Sequence, residues 1–152
     1  MTGDELQFVV FRLGGQEFAL GIAEVERILR YEAPAPLPNA PDFLEGMMPY
    51  GTGAVPLVDL RKRVSLEATH REETRVIIVR LADQQVGVVV DQVREVLRVD
   101  STTITLPPPI VRGLAAQYVS GIITRPGRTI VVLNAARLLS SSERLALEEA
   151  LP

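Results

Sequence analysis

The residues with the greatest potential for chemistry are one histidine and a scattered set of carboxylates. His70 is the only histidine of 152 residues and there is no cysteine, so a Cys/His nucleophile pair and a thiolate metal site are excluded. A serine relay would have to be built on His70, in the most polar stretch of the chain. The carboxylates show no paired spacing for acid–base catalysis: Glu24, Glu26, Glu45, Asp59 and Asp91. The sequence predicts a binding protein, not an enzyme, with no metal and no cofactor.

Phosphate and nucleic-acid chemistry are also poorly supported. Gly51-Thr52-Gly53 resembles part of a glycine-rich loop, but no Gly-Lys-Ser/Thr follows it, and we interpret it as a turn between strands. A net charge of -3, a pI near 5.2 and 5% aromatic residues provide neither a basic field nor a stacking surface. A small β-barrel nucleic-acid-binding domain is the alternative from another class, and a small hydrolase is the enzyme alternative.

Composition indicates a folded, soluble chain. Hydrophobic residues make up 47% of it, which excludes disorder as the main state. No apolar run reaches the roughly 18 residues needed to span a bilayer, and Met1 to Glu5 lack the cationic start of a signal peptide. We expect a cytoplasmic protein that meets a membrane only indirectly, through a partner.

An internal repeat dominates the chain. Residues 8–30 lie without a gap over residues 76–98, at an offset of 68, with six identities in 23 positions. Residues 46–59 correspond to 121–134 at an offset of 75. Two modules of this size are marginal alone. We expect them to pack against each other, with a seam between them that can bind a partner.

Local patterns predict mainly strands. Residues 6–20 form one hairpin turning at Gly14-Gly15, and 76–90 form its repeat. Their nearly consecutive apolar positions indicate burial on both faces. Residues 22–29 fit a helix or a strand equally well, and 41–46 predict one helical turn between Pro and Gly.

The remaining elements are short. Asp59 and its repeat partner Asn134 each precede a short basic or apolar run and are interpreted as helix caps, not catalytic groups. The polar stretch 67–74 predicts a linker between the modules. Residues 140–151 have the apolar face of a C-terminal helix.

Several ordered features resemble the CheW family of bacterial chemosensory coupling proteins. The run Leu37 to Gly46 followed by Val55 to Arg61 carries most of the likeness. Phe11 to Ile28, Val86 to Val93 and Tyr118 to Ile122 resemble further signatures of that family. The resemblance covers about residues 6 to 148.

The resemblance implies a mainly β fold, a single CheW-like domain over 1–152 made of two SH3-like five-stranded β-barrels. The boundaries would be 6–66 for the first barrel, 67–74 for the linker, 75–139 for the second barrel and 140–151 for the C-terminal helix. Such proteins are scaffolds without enzymatic activity. Their partners are the regulatory domain of a CheA-type histidine kinase and the cytoplasmic tip of a chemoreceptor.

The resemblance also assigns site residues by position. Ile22, Val25, Gly46 and Val76 would lie at or near a receptor-binding groove. Met48, Val55 and Leu57 would lie on strands of the first barrel, whose end is a kinase-contact region.

One motif departs from the family. Where the family usually reads Asn-Leu-Arg-Gly, this chain has Pro49, Tyr50, Gly51 and Thr52. Glycine cannot supply the charge and the five-donor fork of an arginine. We therefore expect an adaptor with altered partner contacts, or alternatively a paralogue or detached module that serves a signalling system other than chemotaxis.

Overall fold

The computed structural model describes residues 4–63, 71–81, 84–106 and 118–138. Within these ranges the chain is mainly β, as predicted, and has ten strands: β1 (Glu5–Leu13), β2 (Gln16–Gly21), β3 (Val25–Arg30), β4 (Leu44–Tyr50), β5 (Gly53–Asp59), β6 (Arg75–Leu81), β7 (Gln84–Val90), β8 (Gln92–Asp100), β9 (Val119–Arg125) and β10 (Arg128–Leu133). The described helical elements are short: α1 (Leu60–Arg63) and the 3-10 turns Ile22–Glu24, Ser101–Thr103 and Ala135–Arg137.

The strands form two five-stranded sheets related by the internal repeat. Sheet A has the order β8-β1-β2-β10-β9, and sheet B has the order β3-β6-β7-β5-β4. The two orders correspond strand by strand through the repeat: β8, β1, β2, β10 and β9 of sheet A are equivalent to β3, β6, β7, β5 and β4 of sheet B. Each sheet contains one parallel pair, β10 with β2 and β5 with β7, among otherwise antiparallel pairs. The repeat predicted from the sequence therefore reappears as two equivalent sheets.

Each sheet takes strands from both halves of the chain. Strands β1 and β2 of the first half lie in sheet A beside β8, β9 and β10, whereas β6 and β7 complete sheet B. The predicted barrel boundaries, 6–66 and 75–139, therefore do not coincide with the sheets, because the two halves exchange hairpins. Of the predicted linker 67–74, residues 71–73 are exposed and precede β6, while 67–70 and the predicted helix 140–151 lie outside the described residues.

The buried hydrophobic side chains of the described residues form three clusters. One cluster lies inside sheet A and takes side chains from all five of its strands, among them Phe8, Val10 and Ile130. A second lies inside sheet B in the same way, around Met48 and Ile78. The third fills the space between the sheets and is called the seam cluster here: Val9, Phe11, Leu13, Phe18, Leu20, Leu44, Val58, Leu60, Ile77, Val79, Leu81, Val86, Val88, Val90, Tyr118, Leu133, Ala135 and Leu138.

The central hairpins serve both kinds of cluster, as their consecutive apolar residues predicted. On β1, Phe8 and Val10 point into sheet A, and Val9 and Phe11 point into the seam cluster. This follows from the alternation of side chains along a strand. The ring of Phe11 stacks on that of Phe18 across the hairpin, with 6.3 Å between centroids.

The sheets are curved and SH3-like without being closed barrels. Their outer strands are joined by side chains instead of by a ladder. In sheet A, Arg125 of β9 donates from Nη2 to the carbonyl oxygen of Arg98 on β8, at 2.9 Å. In sheet B, the Tyr50 hydroxyl of β4 donates to Glu26 of β3, at 2.8 Å. These two bonds occupy equivalent edges and hold each curved sheet around its own cluster.

Local predictions had mixed outcomes. Asp59 and Asn134 are helix caps as predicted, each accepting from a backbone N–H two residues on, at 3.0 Å. Residues 22–29 divide into a 3-10 turn and β3. The predicted helical turn at 41–46 is wrong, because only a turn closed by the Leu44 N–H to Pro41 O bond forms there before β4 begins.

Candidate functional site

An accessible apolar strip lies where the chain first passes from sheet A to sheet B. The turn Ile22–Glu24 makes this crossing and lies against β1 and β6. Ile22 and Ile28 are each 39% exposed, and Val25 is half-buried against the seam cluster. Ile28 pairs with Ile77, a member of that cluster. Ile22, Val25 and Ile28, called the seam strip here, can offer an apolar contact to a partner.

The predicted groove residues do not all belong to this strip. Val76 is completely buried in the sheet B cluster, so its side chain has no surface to offer. Gly46 is buried at φ +145°, and a Cβ added there would lie 2.4 Å from the carbonyl oxygen of Ala35. Ala35 and Met47 exchange backbone hydrogen bonds of 2.8 and 2.9 Å beside it. Gly46 therefore allows a close backbone approach, and the groove assignment stays a prediction for Ile22 and Val25.

We expect Gly46→Ala to lower the free energy of unfolding by at least about 2 kcal/mol, because a side chain is strained at this φ and collides with Ala35. Urea unfolding followed by circular dichroism measures the change. Gly53→Ala is the matched control, since a Cβ at Gly53 meets nothing within 4 Å. Equal stability of the two variants would contradict a conformational role for Gly46.

The residues assigned to the kinase-contact region are core residues. Met48, Val55 and Leu57 lie on β4 and β5, as expected, but their side chains are buried inside sheet B. They can affect a partner only through the shape of the sheet. The accessible positions near them are those of the neighbouring hairpin turn.

That turn is held by a polar cluster on the outside of sheet B. The Glu26 carboxylate accepts hydrogen bonds from the Tyr50 hydroxyl and the Arg80 guanidinium, both at 2.8 Å, and from the Gln85 amide. These bonds, that from Tyr50 first, hold the pKa of Glu26 below its usual range. The same bond raises the pKa of Tyr50. Glu26, Tyr50, Arg80 and Gln85 are called the Glu26 cluster below.

The altered motif itself forms a tight hairpin. Tyr50 pairs with Gly53 across the two-residue turn Gly51-Thr52, and Gly51 has φ +61°, a left-handed conformation that favours glycine. Pro49 is exposed on β4, an edge strand, where a missing N–H is tolerated. The motif is therefore a compact turn with Tyr50 fixed against Glu26.

A buried ion network joins the two sheets at the opposite crossing. The Arg61 side chain is fully buried and binds Asp59 through Nε and Nη2, at 2.9 and 2.8 Å. Its Nη1 donates to Asp91, at 2.9 Å, in the link between β7 and β8. The other oxygen of Asp91 accepts from the Gly14 N–H in the β1–β2 turn, at 2.6 Å. The bond with Asp59, then that with Asp91, raises the pKa of Arg61.

Sequence reasoning missed this network, although the repeat contains a signal for it. The positions equivalent to Asp59, Arg61 and Asp91 hold Asn134, Ala136 and Ala23. Asp59 and Arg61 belong to the first repeat copy and Asp91 to the second, but all three lie at or just beyond the ends of strands of sheet B, and the equivalent positions at sheet A are all neutral. Such a joint difference between the two sheets indicates that the three residues act as a unit.

Within the described ranges, no three His, Cys, Asp or Glu side chains are grouped so that they could hold a metal ion. None of the helices there is long and apolar enough to cross a membrane. His70 lies outside the described residues, so the expectation that it has no catalytic role stays a prediction.

Comparisons with known proteins agree on one family. A family model described as CheW-like domain matches residues 7–143. The chemotaxis protein CheW of Klebsiella aerogenes is 31% identical, over 90% of this chain and 83% of that protein. CheW of Treponema pallidum is 28% identical, over 94% and 87%. The crystal structure of the scaffolding protein TtCheW from Thermoanaerobacter tengcongensis matches with a TM-score of 0.82 at 28% identity, over 94% and 96%.

Proposed function

Because this chain belongs to the family of CheW-like domains, we propose that it is a non-enzymatic adaptor that couples chemoreceptors to a CheA-type histidine kinase in a bacterial chemosensory array. The observation that carries the proposal is the match over residues 7–143, together with a fold similar to that of a scaffolding protein at a TM-score of 0.82. The adaptor acts by binding two partners at once, so its function depends on the surfaces that contact them.

The seam strip is the surface we assign to the receptor. Ile22, Val25 and Ile28 present apolar area beside the junction of the sheets, and the flanking turn Ile22–Glu24 is fixed against both of them. An apolar strip on a rigid support suits a packed helical partner, since burying its side chains releases water at little cost in conformational order. The kinase contact is assigned to the neighbouring end of sheet B.

The hairpin Pro49 to Thr52 gives this adaptor altered partner contacts. Its tip has no cation, and the nearby Arg80 is bound to Glu26. A partner acceptor that an arginine at this position could bind therefore meets a glycine here. Tyr50 offers an aromatic ring at this edge, but its hydroxyl is engaged with Glu26.

The adaptor function is tested by calorimetric titration of the full chain with the regulatory domain of the cognate kinase, and separately with a receptor-tip fragment. We expect micromolar binding in both titrations. Ile22→Ser should weaken only the receptor titration, because Ile22 lies in the seam strip. An absence of binding to both partners at high micromolar concentration would sink the proposal.

We expect Gly51→Arg to tighten binding to the kinase domain or the receptor fragment by about tenfold, the value of one charge-assisted hydrogen bond. The left-handed φ at Gly51 costs a non-glycine residue stability in the free and bound states alike, so it does not enter the affinity. Calorimetry measures the affinity of each variant.

Gly51→Ala is the matched control for this experiment. It introduces the same backbone strain without a guanidinium, so it should lower stability and leave both affinities unchanged. If Gly51→Arg binds both partners no better than Gly51→Ala, the turn is not a site of partner specificity.

A further inference from the structure

Three arginines converge on one carboxylate at the end of sheet A. Glu17 is 10% exposed and binds Arg128 through both oxygens, at 2.9 and 3.1 Å. Arg94 lies 3.6 Å from the same carboxylate. These side chains and Arg12 line a cleft between the β1–β2 and β9–β10 turns, called the Arg12 cleft here. The hydrogen bond from Arg128, with the charges of Arg128, Arg94 and Arg12, holds the pKa of Glu17 below its usual range.

Among the described residues, the Arg12 cleft has an excess of positive charge. Its three guanidinium groups lie near Glu17 and one further described carboxylate, Glu95, which is 3.3 Å from Arg128. Asp91 lines the neighbouring cleft with Arg12 but is engaged by Arg61 and the Gly14 N–H. The Arg12 Nε is buried and has no hydrogen-bond partner in the described part of the chain. An arginine held in this way beside a cleft is prepared for an incoming acceptor.

The repeat provides an internal comparison. Arg12, Glu17 and Arg94 occupy the positions equivalent to Arg80, Gln85 and Glu26, three members of the Glu26 cluster. In the Glu26 cluster the one acidic residue, Glu26, is paired with the one basic residue, Arg80. Glu26 also accepts hydrogen bonds from the other two members. The same backbone arrangement therefore balances its charges in sheet B and leaves an excess of cations in sheet A, so the excess is not required by the fold.

Access to the cleft is open. Gly15 and Gly127 lie in the two turns beside it, and a Cβ at either would meet nothing within 4 Å. Arg94 and Arg128 have 37% and 32% of their side-chain surface exposed. A partner chain can therefore approach the guanidinium groups over the turns.

We propose that the Arg12 cleft binds a carboxylate from an acidic segment of a partner protein. The partner is an acidic peptide and not a nucleic acid, because the excess of positive charge is confined to the cleft and the overall charge of -3 opposes a long phosphate backbone. Since the net charge is negative while the cleft is positive, the cleft selects where an acidic partner docks. This surface is independent of the receptor and kinase contacts proposed above.

Nuclear magnetic resonance of the arginine Nε–Hε groups tests the proposal directly. The full, 15N-labelled chain is titrated with a hexaglutamate peptide to about 10 mM, a range that detects weak single-site contacts. We expect the resonances of Arg12 and Arg94 to shift and that of Arg80 to stay in place. Raising the salt concentration from about 50 to 200 mM should weaken the binding, because exposed charges are screened.

Two variants with the same net charge distinguish binding at the Arg12 cleft from general electrostatic attraction of the peptide to the protein. Arg12→Gln should weaken hexaglutamate binding by about tenfold, whereas Arg80→Gln, at the equivalent repeat position, should not. If Arg12→Gln loses the dispersed spectrum of a folded protein, Arg94→Gln provides the same test. Equal weakening by the Arg12 and Arg80 variants, or no shift at all, would overturn the proposal. Equal or tighter binding of inorganic phosphate or a short DNA strand would overturn the choice of a carboxylate.

Discussion

Separating the chain into residues 1–70 and 71–152 should abolish folding of each half, and mixing the two should restore it. The reason is the exchange of hairpins between the sheets. In the described structure β3 pairs only with β6, and β8 pairs only with β1, so each of these strands loses its ladder when the halves are separated. Each half would also expose its side of the seam cluster.

The exchange follows from the length of one connection. For the first half to form a sheet alone, β3 would have to take the place of β8 beside β1 and begin at the far end of β2. Strand β2 has six residues and is about 20 Å long. The turn Ile22–Glu24 leaves four Cα-to-Cα steps between Gly21 and Val25, which reach about 14 Å when fully extended. The chain therefore passes to the other sheet, where β3 can begin at once beside the second half's hairpin.

Circular dichroism and two-dimensional NMR of each separate half and of the mixture measure this effect. We expect collapsed, poorly dispersed spectra for the halves and a folded one-to-one complex on mixing. A dispersed spectrum from 1–70 alone would show that the first half folds without its partner, contrary to the exchange. The uncut full-length chain is the control.

The sequence was informative about the unit that repeats but not about which copies associate. The 68-residue offset predicts that β1 and β6 are equivalent, and their consecutive apolar residues predict burial on both faces. Either copy of the hairpin satisfies those patterns in either sheet. The choice depends on the short turn Ile22–Glu24, whose sequence fitted a helix or a strand equally well. The exchange of hairpins is therefore determined by the length of the connection between strands, and the hydrophobic periodicity of the sequence does not predict it.

Of the site residues carried over by resemblance, Met48, Val55 and Leu57 lie on the strands β4 and β5, but the assigned residues do not share one surface. Ile22 and Val25 are accessible, whereas Met48, Leu57 and Val76 are buried. A match of sequence positions identifies the strand on which a residue lies. Because side chains alternate between the two faces of a strand, only the structure shows which of these residues are accessible. The altered hairpin was predicted as a turn from its glycines alone, and the structure agrees.

Arg61 was missed for a different reason. It stands in the run Leu60-Arg61-Lys62-Arg63, which is typical of an exposed basic turn. Burial of its guanidinium depends on Asp91, 30 residues away, and on the contact between sheets that brings Asp91 close. At the level of the sequence, the signal for this network lies in the neutral residues at the equivalent repeat positions, Asn134, Ala136 and Ala23.

Removing the Arg61 charge should have the largest effect of any single substitution considered. Arg61→Met should lower the free energy of unfolding by about 3–5 kcal/mol, because it leaves the buried Asp59 carboxylate without its partner. It also releases Asp91, which ties the β7–β8 link to the β1–β2 turn through Gly14. Urea unfolding at pH 7 measures the loss.

Two controls separate the effect of buried charge from loss of a long side chain. Arg80→Met removes an exposed arginine that pairs with Glu26 and should cause a much smaller change. In the triple variant Asp59→Asn/Arg61→Met/Asp91→Ala, the two acidic residues are replaced by the neutral residues of their equivalent repeat positions, Asn134 and Ala23. Methionine fills the volume of Arg61 with an apolar side chain. Since no unpaired charge then stays buried, this triple variant should recover more than half of the lost stability. If it is no more stable than Arg61→Met, the network contributes through packing and not through charge.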